Sequence, residues 1–520
     1  MPNNKVRQFA LGSASAIALA VGFTAAAATP AAAQTEIYAG GATLPAVVYR
    51  QIFNCYSTDL SPTTTNTKTV DVNNLFDAPG CTAPQNRALR FGYAPVGSGA
   101  GQRAFIFDDP TRIGIPSTTT NTVPYSGNSV APAPVTNSPA LAGTGFLPFS
   151  ITAPTGYPNH HWSGSDAIIP QTATPASTIS YDCYNGNVAT DASCTVDRRT
   201  VAGAAIQVPT LTTTVNIPFR LPGRNTLRLS ERSLCGIFTG TITNWNDPLI
   251  TADNGGSVTG GVARQILVAV RSDGSGTTFL FAQHLAAVCD GTRGALWTGG
   301  TGTSVTWPNA FFYKRSGNEG VAQAVAEENY FIGYTTPELT QPAVTTITVP
   351  TTVVATDGAG LNPRTITAGT YTARPRASLA NKTGAYILPT AASGTAALAS
   401  AVPPAGAAAL DPAAWGIAGA VPDPTGATAY PIAGFTWYNG YTCYTSTAVG
   451  QGLRNFWNWY TTGTNTQLTT ILTGKTFGRL PNNWQTAVRN LVVTGATTRI
   501  AGVGEPVATG NSTCTGKAGA

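Results

Sequence analysis

The sequence predicts an α/β protein of two or three domains, and three observations carry that expectation. The chain has 520 residues, more than one hydrophobic core ordinarily organises, and 42% of them are apolar, which supplies real cores. Its 56 Gly and 37 Pro, beside abundant Thr, make it rich in strand formers and turn residues, which excludes a coiled coil or a helical bundle. From residue 206 onward, apolar strands alternate with stretches of helical spacing, the pattern of layered α/β architecture. Charge is sparse at 10% of residues, and the formal +6 forms no Lys/Arg run. Nucleic acid is therefore not an expected partner.

Taken in order, residues 1–33 stand outside the fold. Lys5 and Arg7 precede an apolar stretch between Phe9 and Phe23, then small residues ending in Ala31, Ala32 and Ala33, the make-up of a secretory signal peptide cut after Ala33. No cysteine lies near that cut, so no lipid anchor is expected. No other window reaches the roughly 18 unbroken apolar residues that span a bilayer. A periplasmic or secreted location follows. The eight cysteines, even in number in an exported chain, point to disulfides. Proximity suggests Cys55 with Cys81, Cys183 with Cys194, Cys235 with Cys289 and Cys443 with Cys514, with on the order of a hundred connectivities formally open.

The first structured block, residues 37–53, runs from a strand through GGATLPA into the helical VVYRQIF, where Thr43 can cap and Pro45 suits the first turn. The segment FGYAPVGSGAGQRAF is again a strand, a Gly-rich turn and a helix start. Residues 108–157 read as an inserted surface loop, and a second insertion surrounds Cys183 and Cys194. Then come a strand in IQVPTLTTTVNIPF, a helix in LSERSLCGIFTGTITNWNDPLI and a buried strand, QILVAV. After Arg271 the turn SDGSG leads into a helix on which Phe281, Leu285 and Val288 recur at helical spacing. A helix in NEGVAQAVAEEN and a strand in FIGYTT follow. Residues 340–430 are Thr/Ala/Pro/Gly-rich with a hairpin expected in TTITVPTTVVAT, YPIAGFTWYN is a strand, and LRNFWNWYTTG and NWQTAVRNLV are amphipathic helices.

Three segments share one design, a strand ending in small residues where a helix begins: GGATLP at 40–45, GSGAG at 97–101 and RSDGSGTT at 271–278. The first N–H groups of a helix lack intrahelical partners and carry the positive end of its dipole, so several such termini converging on one spot bind an anion. Any one of these turns alone is an ordinary connector. The third stands out because Arg271, whose forked guanidinium suits a tetrahedral oxyanion, precedes a run of small polar residues, and Asp273 can hold that fork.

The segments GGATLPAVVYRQ, VGSGAG, SGSDAIIP, VPTLTTTVNIP, LCGIFTGTITNWNDPLI, VRSDGSGTTFLFAQHL and GNEGVAQAVAEENYFIGYTTPE resemble, in order, the PstS-type phosphate-binding proteins of bacterial phosphate ABC transporters. The resemblance spans residues 38–334, with a weaker match over 431–493, and RSDGSGT is its most specific motif. It implies the two-lobe periplasmic binding protein fold (type II), each lobe a mixed sheet flanked by helices, with Thr/Pro/Gly-rich insertions about 104–160 and 175–200. Lobe I would comprise 34–215 plus 431–520 and lobe II 216–430. The implied phosphate-binding set is Thr43, Leu44 (backbone, where the family usually has Phe), Ser98, Asp166, Arg271, Ser275, Gly276 and Thr277, supported by Asp273. The separation of Ser98 and Asp166 is far longer than the family pattern.

Charge bookkeeping gives Asp166 a role in that set. A carboxylate repels an anion unless the anion carries a proton to donate, so it accepts phosphate and rejects sulfate. Other chemistries find no residues. His160 and His161 are adjacent and His284 has no ligand at metal spacing, so no metal is expected. There is no GxSxG elbow, no GxxxxGK loop followed by Ser or Thr, and no GxGxxG, so no catalytic residues and no cofactor are expected. The aromatic cluster of Phe456, Trp457, Trp459 and Tyr460 has the helical spacing of core, with a sugar platform as its alternative. The expectation is a monomeric, non-enzymatic protein that binds inorganic phosphate for a membrane phosphate ABC permease. The alternatives are an exported surface or structural protein that keeps the fold, and a secreted phosphatase-like enzyme.

Overall fold

Strand β1 (Thr35–Gly41) enters a helix, α1 (Ala46–Tyr56), through the Gly-Ala-Thr-Leu-Pro turn. The computed structural model describes residues 35–57, 81, 89–94, 97–110, 159–173, 179–189, 191–292, 295–309, 312–315, 317–343, 345–349, 353–355, 364–366 and 369–520. The expected signal peptide and most of the first insertion lie outside the described residues. Strand β2 (Leu89–Ala94) pairs parallel with β1 and leads to α2 (Ser98–Phe107). Strands β3 (Trp162–Ser165) and β4 (Ala205–Thr214) follow.

The chain then builds the second lobe: α3 (Glu231–Thr239), β5 (Leu267–Arg271), α4 (Gly276–Val288), β6 (Tyr313–Arg315), α5 (Gly317–Glu327) and β7 (Phe331–Gly333). Its sheet runs β6-β5-β7, all parallel. A small mixed sheet joins Arg228–Leu229, Ser378–Ala380 and Tyr386–Ile387. The return passes through α6 (Ala391–Ala397) and α7 (Pro412–Ala418) into β8 (Ala433–Tyr441), then α8 (Thr447–Tyr460), α9 (Thr466–Gly474) and α10 (Asn482–Arg489). The first sheet runs β2-β1-β3-β8-β4, with β8 antiparallel to both its neighbours.

Two apolar cores correspond to the two lobes. Phe53 stacks on Phe91 (4.7 Å) beneath Trp162 and Phe456 in the first, and Phe238, Phe281 and Tyr334 meet in the second. Trp457 and Tyr460 are buried with Phe456, so that aromatic cluster is packing. In β4, Pro209 has no N–H for the ladder. The register slips there, Trp437 facing Pro209 and Thr436 facing Leu211, which leaves Thr210 bulged. Its hydroxyl meets Thr436 O (3.1 Å) and Tyr49 OH (2.7 Å), filling the gap.

Four expectations change. Lobe II does not hold residues 216–430 throughout, because Leu398, Ala401, Ala413 and Trp415 join the first core. Trp484 lies 6.0 Å from Trp415 and donates to Ala401 O (3.0 Å). The Ala/Pro-rich sequence there hides two short helices, for which β4 supplies the apolar partner. The segment around Cys183 and Cys194 is no appended insertion: Tyr184 stacks on Phe105 (5.5 Å) inside the first core. TTITVPTTVVAT does not fold back on itself, since Thr346–Val349 pairs with Gly369–Thr372 and Val353–Ala355 with Arg364–Ile366, two separate antiparallel pairs. Thr43 caps nothing, for α1 has no side-chain cap.

Disulfides join Cys55–Cys81, Cys183–Cys194, Cys235–Cys289 and Cys443–Cys514. Among the described residues no helix is long and apolar enough to cross a membrane.

Candidate anion-binding site

Arg271 ends β5, a strand whose Val268, Ala269 and Val270 are buried, so the fold carries its guanidinium into the interior, where the residue is 4% exposed. An isolated buried cation is costly, and here it is matched on two edges. Nε donates to Asp273 Oδ1 (2.7 Å), and Nη2 pairs with Asp273 Oδ2 at short range. Nη1 donates to Asn318 Oδ1 (2.9 Å). Burial tends to raise the Asp273 carboxyl, but its bonds to Arg271 hold it below the usual carboxylate range. Gly317 N–H also donates to Asp273 (3.0 Å). The Arg271 charge is therefore balanced within its own lobe.

The other lobe supplies Thr43. Its hydroxyl oxygen accepts from Asn318 Nδ2 (3.2 Å) and, more loosely, from Arg271 Nη2 (3.4 Å). With both acceptor positions engaged, its own proton points away from them and remains free to donate. The neighbouring Leu44 side chain is fully buried in the first core, and its carbonyl accepts the Thr336 hydroxyl (2.9 Å).

Ser98 and Asp166 meet despite the long sequence between them. Ser98 is the first residue of α2, and Asp166 follows β3 directly. Asp166 N–H donates to Ser98 Oγ (3.1 Å), and Ser98 Oγ lies 3.5 Å from Asp166 Oδ2. Against them stands Gly276, the first residue of α4. A β-carbon there would fall 2.4 Å from Asp166 Cβ and 2.5 Å from Ser98 Oγ, so only glycine permits this approach of the lobes. Gly97, at φ +94°, makes a second such approach, with a β-carbon 2.7 Å from Gly274 O.

Ser275 caps α4, its oxygen accepting from Thr278 N–H (3.1 Å), which leaves the hydroxyl proton available. Thr278 Oγ1 contacts Tyr334 OH (2.7 Å), and that phenol oxygen accepts Arg271 N–H (3.0 Å). Within this ligand set two buried oxygens have no hydrogen-bond partner: Asp166 Oδ1 and Thr277 Oγ1. Burial pushes the Asp166 carboxyl up to about 8, with Arg271 and Ser98 pulling it down. The site thus offers hydroxyl donors, two helix N-termini and one poised acid around a cation already neutralised. That combination fits a small, desolvated oxyanion carrying a proton.

The expected ligand set leaves out Asn318, Tyr334 and Thr336, although the segment GNEGVAQAVAEENYFIGYTTPE contains all three. Asn318 occupies the start of α5 and is fully buried, but an Asn in a Gly-Asn-Glu-Gly run carries no signal beyond a helix start. The three histidines stand apart: His160 Nε2 pairs with Ser163 Oγ (2.9 Å), His161 Nδ1 accepts from Tyr38 N–H (2.8 Å), and His284 Nδ1 pairs with Pro422 O (2.9 Å).

Comparison with known proteins bears on the family and the fold. Residues 190–464 match the PBP superfamily domain. The chain is similar to alkaline phosphatase L of Pseudomonas aeruginosa, 30% identical over 383 residues, covering 72% of this chain and 86% of that protein. A phosphate-binding protein of an unknown prokaryotic organism is 30% identical over 356 residues, 65% of this chain and 81% of that one. Over 120 residues, 23% of this chain and 32% of the relative, it is 42% identical to the phosphate-binding protein PstS of Pasteurella multocida. A high-affinity periplasmic phosphate-binding protein, solved with phosphate at pH 8.5, shares the fold with a TM-score of 0.55 and 24% identity, over 90% of this chain and 96% of its own.

Proposed function

This chain belongs to the PBP superfamily, among its PstS-type phosphate-binding proteins, and from that premise we propose that it encloses one inorganic phosphate between its lobes and delivers it to a membrane phosphate ABC permease. The observation that carries the reading is the pair of orphaned buried oxygens, Asp166 Oδ1 and Thr277 Oγ1. One wants a proton and the other offers one. Hydrogen phosphate presents both an O–H and unprotonated oxygens. In this reading Asp166 takes the phosphate O–H, while Thr43, Ser98, Ser275 and Thr277 donate, together with backbone N–H groups of Leu44, Gly276 and Thr277. The anion displaces the loose Arg271 contact to Thr43 and takes that N–H for itself. Asp273 and Asn318 hold the guanidinium in place.

The reading is of binding without hydrolysis. The hydroxyls nearest Arg271 act as hydrogen-bond donors, and the one histidine that meets a serine, His160, meets Ser163, whose hydroxyl donates to Gly101 O, so no neutral imidazole stands beside Thr43, Ser98, Ser275 or Thr277 to take a proton. It also includes export, with residues 1–33 removed as a signal peptide. Calorimetric titration tests it: one phosphate per chain with micromolar affinity or better, about −8 kcal/mol or more favourable. Arg271→Ala should weaken binding by roughly two decades or more, the penalty of removing a desolvated charge-assisted partner. Parent-like affinity in that variant would overturn the site. Turnover of p-nitrophenyl phosphate that disappears in the same variant would overturn the non-enzymatic reading.

A further inference from the structure

Outside the ligand set, one buried carboxyl has a hydrogen-bond arrangement that closes in one protonation state only. Glu338 is 1% exposed, and Thr336, two residues earlier, is equally buried. The Thr336 hydroxyl lies 2.9 Å from Leu44 O, across the lobes, and 2.5 Å from Glu338 Oε2. Glu338 Oε1 has no partner among the described residues. A hydroxyl has one proton to give, yet here it faces two acceptors, the Leu44 carbonyl and the carboxyl. Both contacts hold together only if Glu338 carries the second proton. The acid then donates to Thr336 Oγ1, and Thr336 donates to Leu44 O.

We propose that Glu338 is a positioning residue that acts as a neutral acid, relaying a hydrogen bond through Thr336 to the Leu44 carbonyl and so latching the second lobe onto the phosphate turn of the first. The inference rests on the phosphate reading of that turn. Ionised, Glu338 takes the Thr336 proton, Leu44 O loses its donor, and the one direct link between Thr336 and the Thr43–Leu44 turn is gone. Burial pushes this carboxyl up to about 8, against the Thr336 bond. The charged groups acting on it are Glu319 of α5, which raises it further, and Lys475, just after α9, which lowers it. The sign follows directly. The latched state binds the proton, so the latch is complete well below about 8 and is lost as pH rises through that value.

The test is calorimetric titration of the full chain with inorganic phosphate, from about one pH unit below to about one above that value, for wild type, E338Q and T336V. Phosphate and Asp166 titrate in all three proteins, so only the difference between profiles reports Glu338. A glutamine keeps a donor for Thr336 and cannot ionise. Wild type should lose affinity across the range roughly three- to ten-fold more than E338Q, the worth of one hydrogen bond. T336V, with no relay, should show the same flattened profile, and adding E338Q to it should change the slope no further. Should E338Q fail to fold, the T336V profile decides. Superimposable profiles of wild type, E338Q and T336V, all binding phosphate, would overturn the latch. A wild type that binds no phosphate at any of these values would overturn the functional reading and the latch with it.

Discussion

Asp166 is the residue whose surroundings bear most directly on the proposed phosphate selectivity. Its carboxyl is pushed up to about 8 by burial, with Arg271 and Ser98 opposing. Below that value the neutral acid prevails and can donate a hydrogen bond to an anion without a proton of its own; above it the carboxylate repels such an anion. Rejection of sulfate should therefore depend on pH. We expect sulfate to compete with phosphate below about pH 8 and to cease competing above it. In Asp166→Asn the competition should persist on the alkaline side. Competition calorimetry measures this directly, and sulfate binding in the wild type that ignores pH would assign Asp166 to structure alone. At this scale the sequence was legible where chemistry is concentrated. Arg271 and Asp273 stand two residues apart in a run of small polar residues, and the structure pairs them. Asn318 was illegible because nothing local distinguishes a buried amide from a helix-start amide. The capping role suggested for Thr43 fails for the same kind of reason: its spacing suits a cap, whereas its neighbours in space, Arg271 and Asn318, come from 228 and 275 residues away.

Among elements, the strand-turn-helix units β1–α1, β2–α2 and β5–α4 were readable because each places small residues between an apolar strand and a helix start. The seam they form depends on Gly276. Gly276→Ala would set a β-carbon 2.4 Å from that of Asp166, so the first turn of α4 would have to withdraw. A loss of phosphate affinity of about ten-fold or more is expected, with a melting temperature close to the parent's, because the clash falls between lobes and within neither core. Calorimetry beside thermal melting separates the two effects, and a large drop in melting temperature would show that α4 itself depends on the glycine. The elements that escaped reading lack periodicity. The helix Pro412–Ala418 buries Trp415 from a stretch of Ala and Pro, and the two antiparallel pairs, Thr346–Val349 with Gly369–Thr372 and Val353–Ala355 with Arg364–Ile366, join strands too far apart in sequence for a turn signal.

For the whole molecule, four buried titratable groups shape the stability of the ligand-free protein. Asp166 and Glu338 are each raised to about 8 by burial, and His160 and His161 are lowered to about 3 by the same cause. A raised acid contributes stability that is lost as pH climbs from the ordinary carboxylate range toward 8. A lowered histidine contributes stability that is present above about 6.5 and is lost as pH falls toward 3. Between roughly pH 4 and 6.5 the two pairs oppose each other. Of these four groups only the two acids bear on the range from about 6.5 to 8, where stability should fall by roughly 1.4 kcal/mol per pH unit for each. Denaturant melts of the apo protein should thus show a plateau and then an alkaline decline. A melt profile that rises through that upper range would contradict the neutral state assigned to these two acids.

The four cystine bridges are distributed in a way that bears on motion. Cys235–Cys289 ties α3 to the end of α4 within the second lobe, Cys55–Cys81 and Cys183–Cys194 belong to the first core, and Cys443–Cys514 packs with Ala501 just beyond β8. None spans the cleft. They act as rivets set inside each jaw of a clamp, stiffening the jaws while no covalent bond crosses between them. Covalent reinforcement is thereby kept apart from the proposed capture of phosphate: a reductant should soften the jaws without removing any contact that crosses between them.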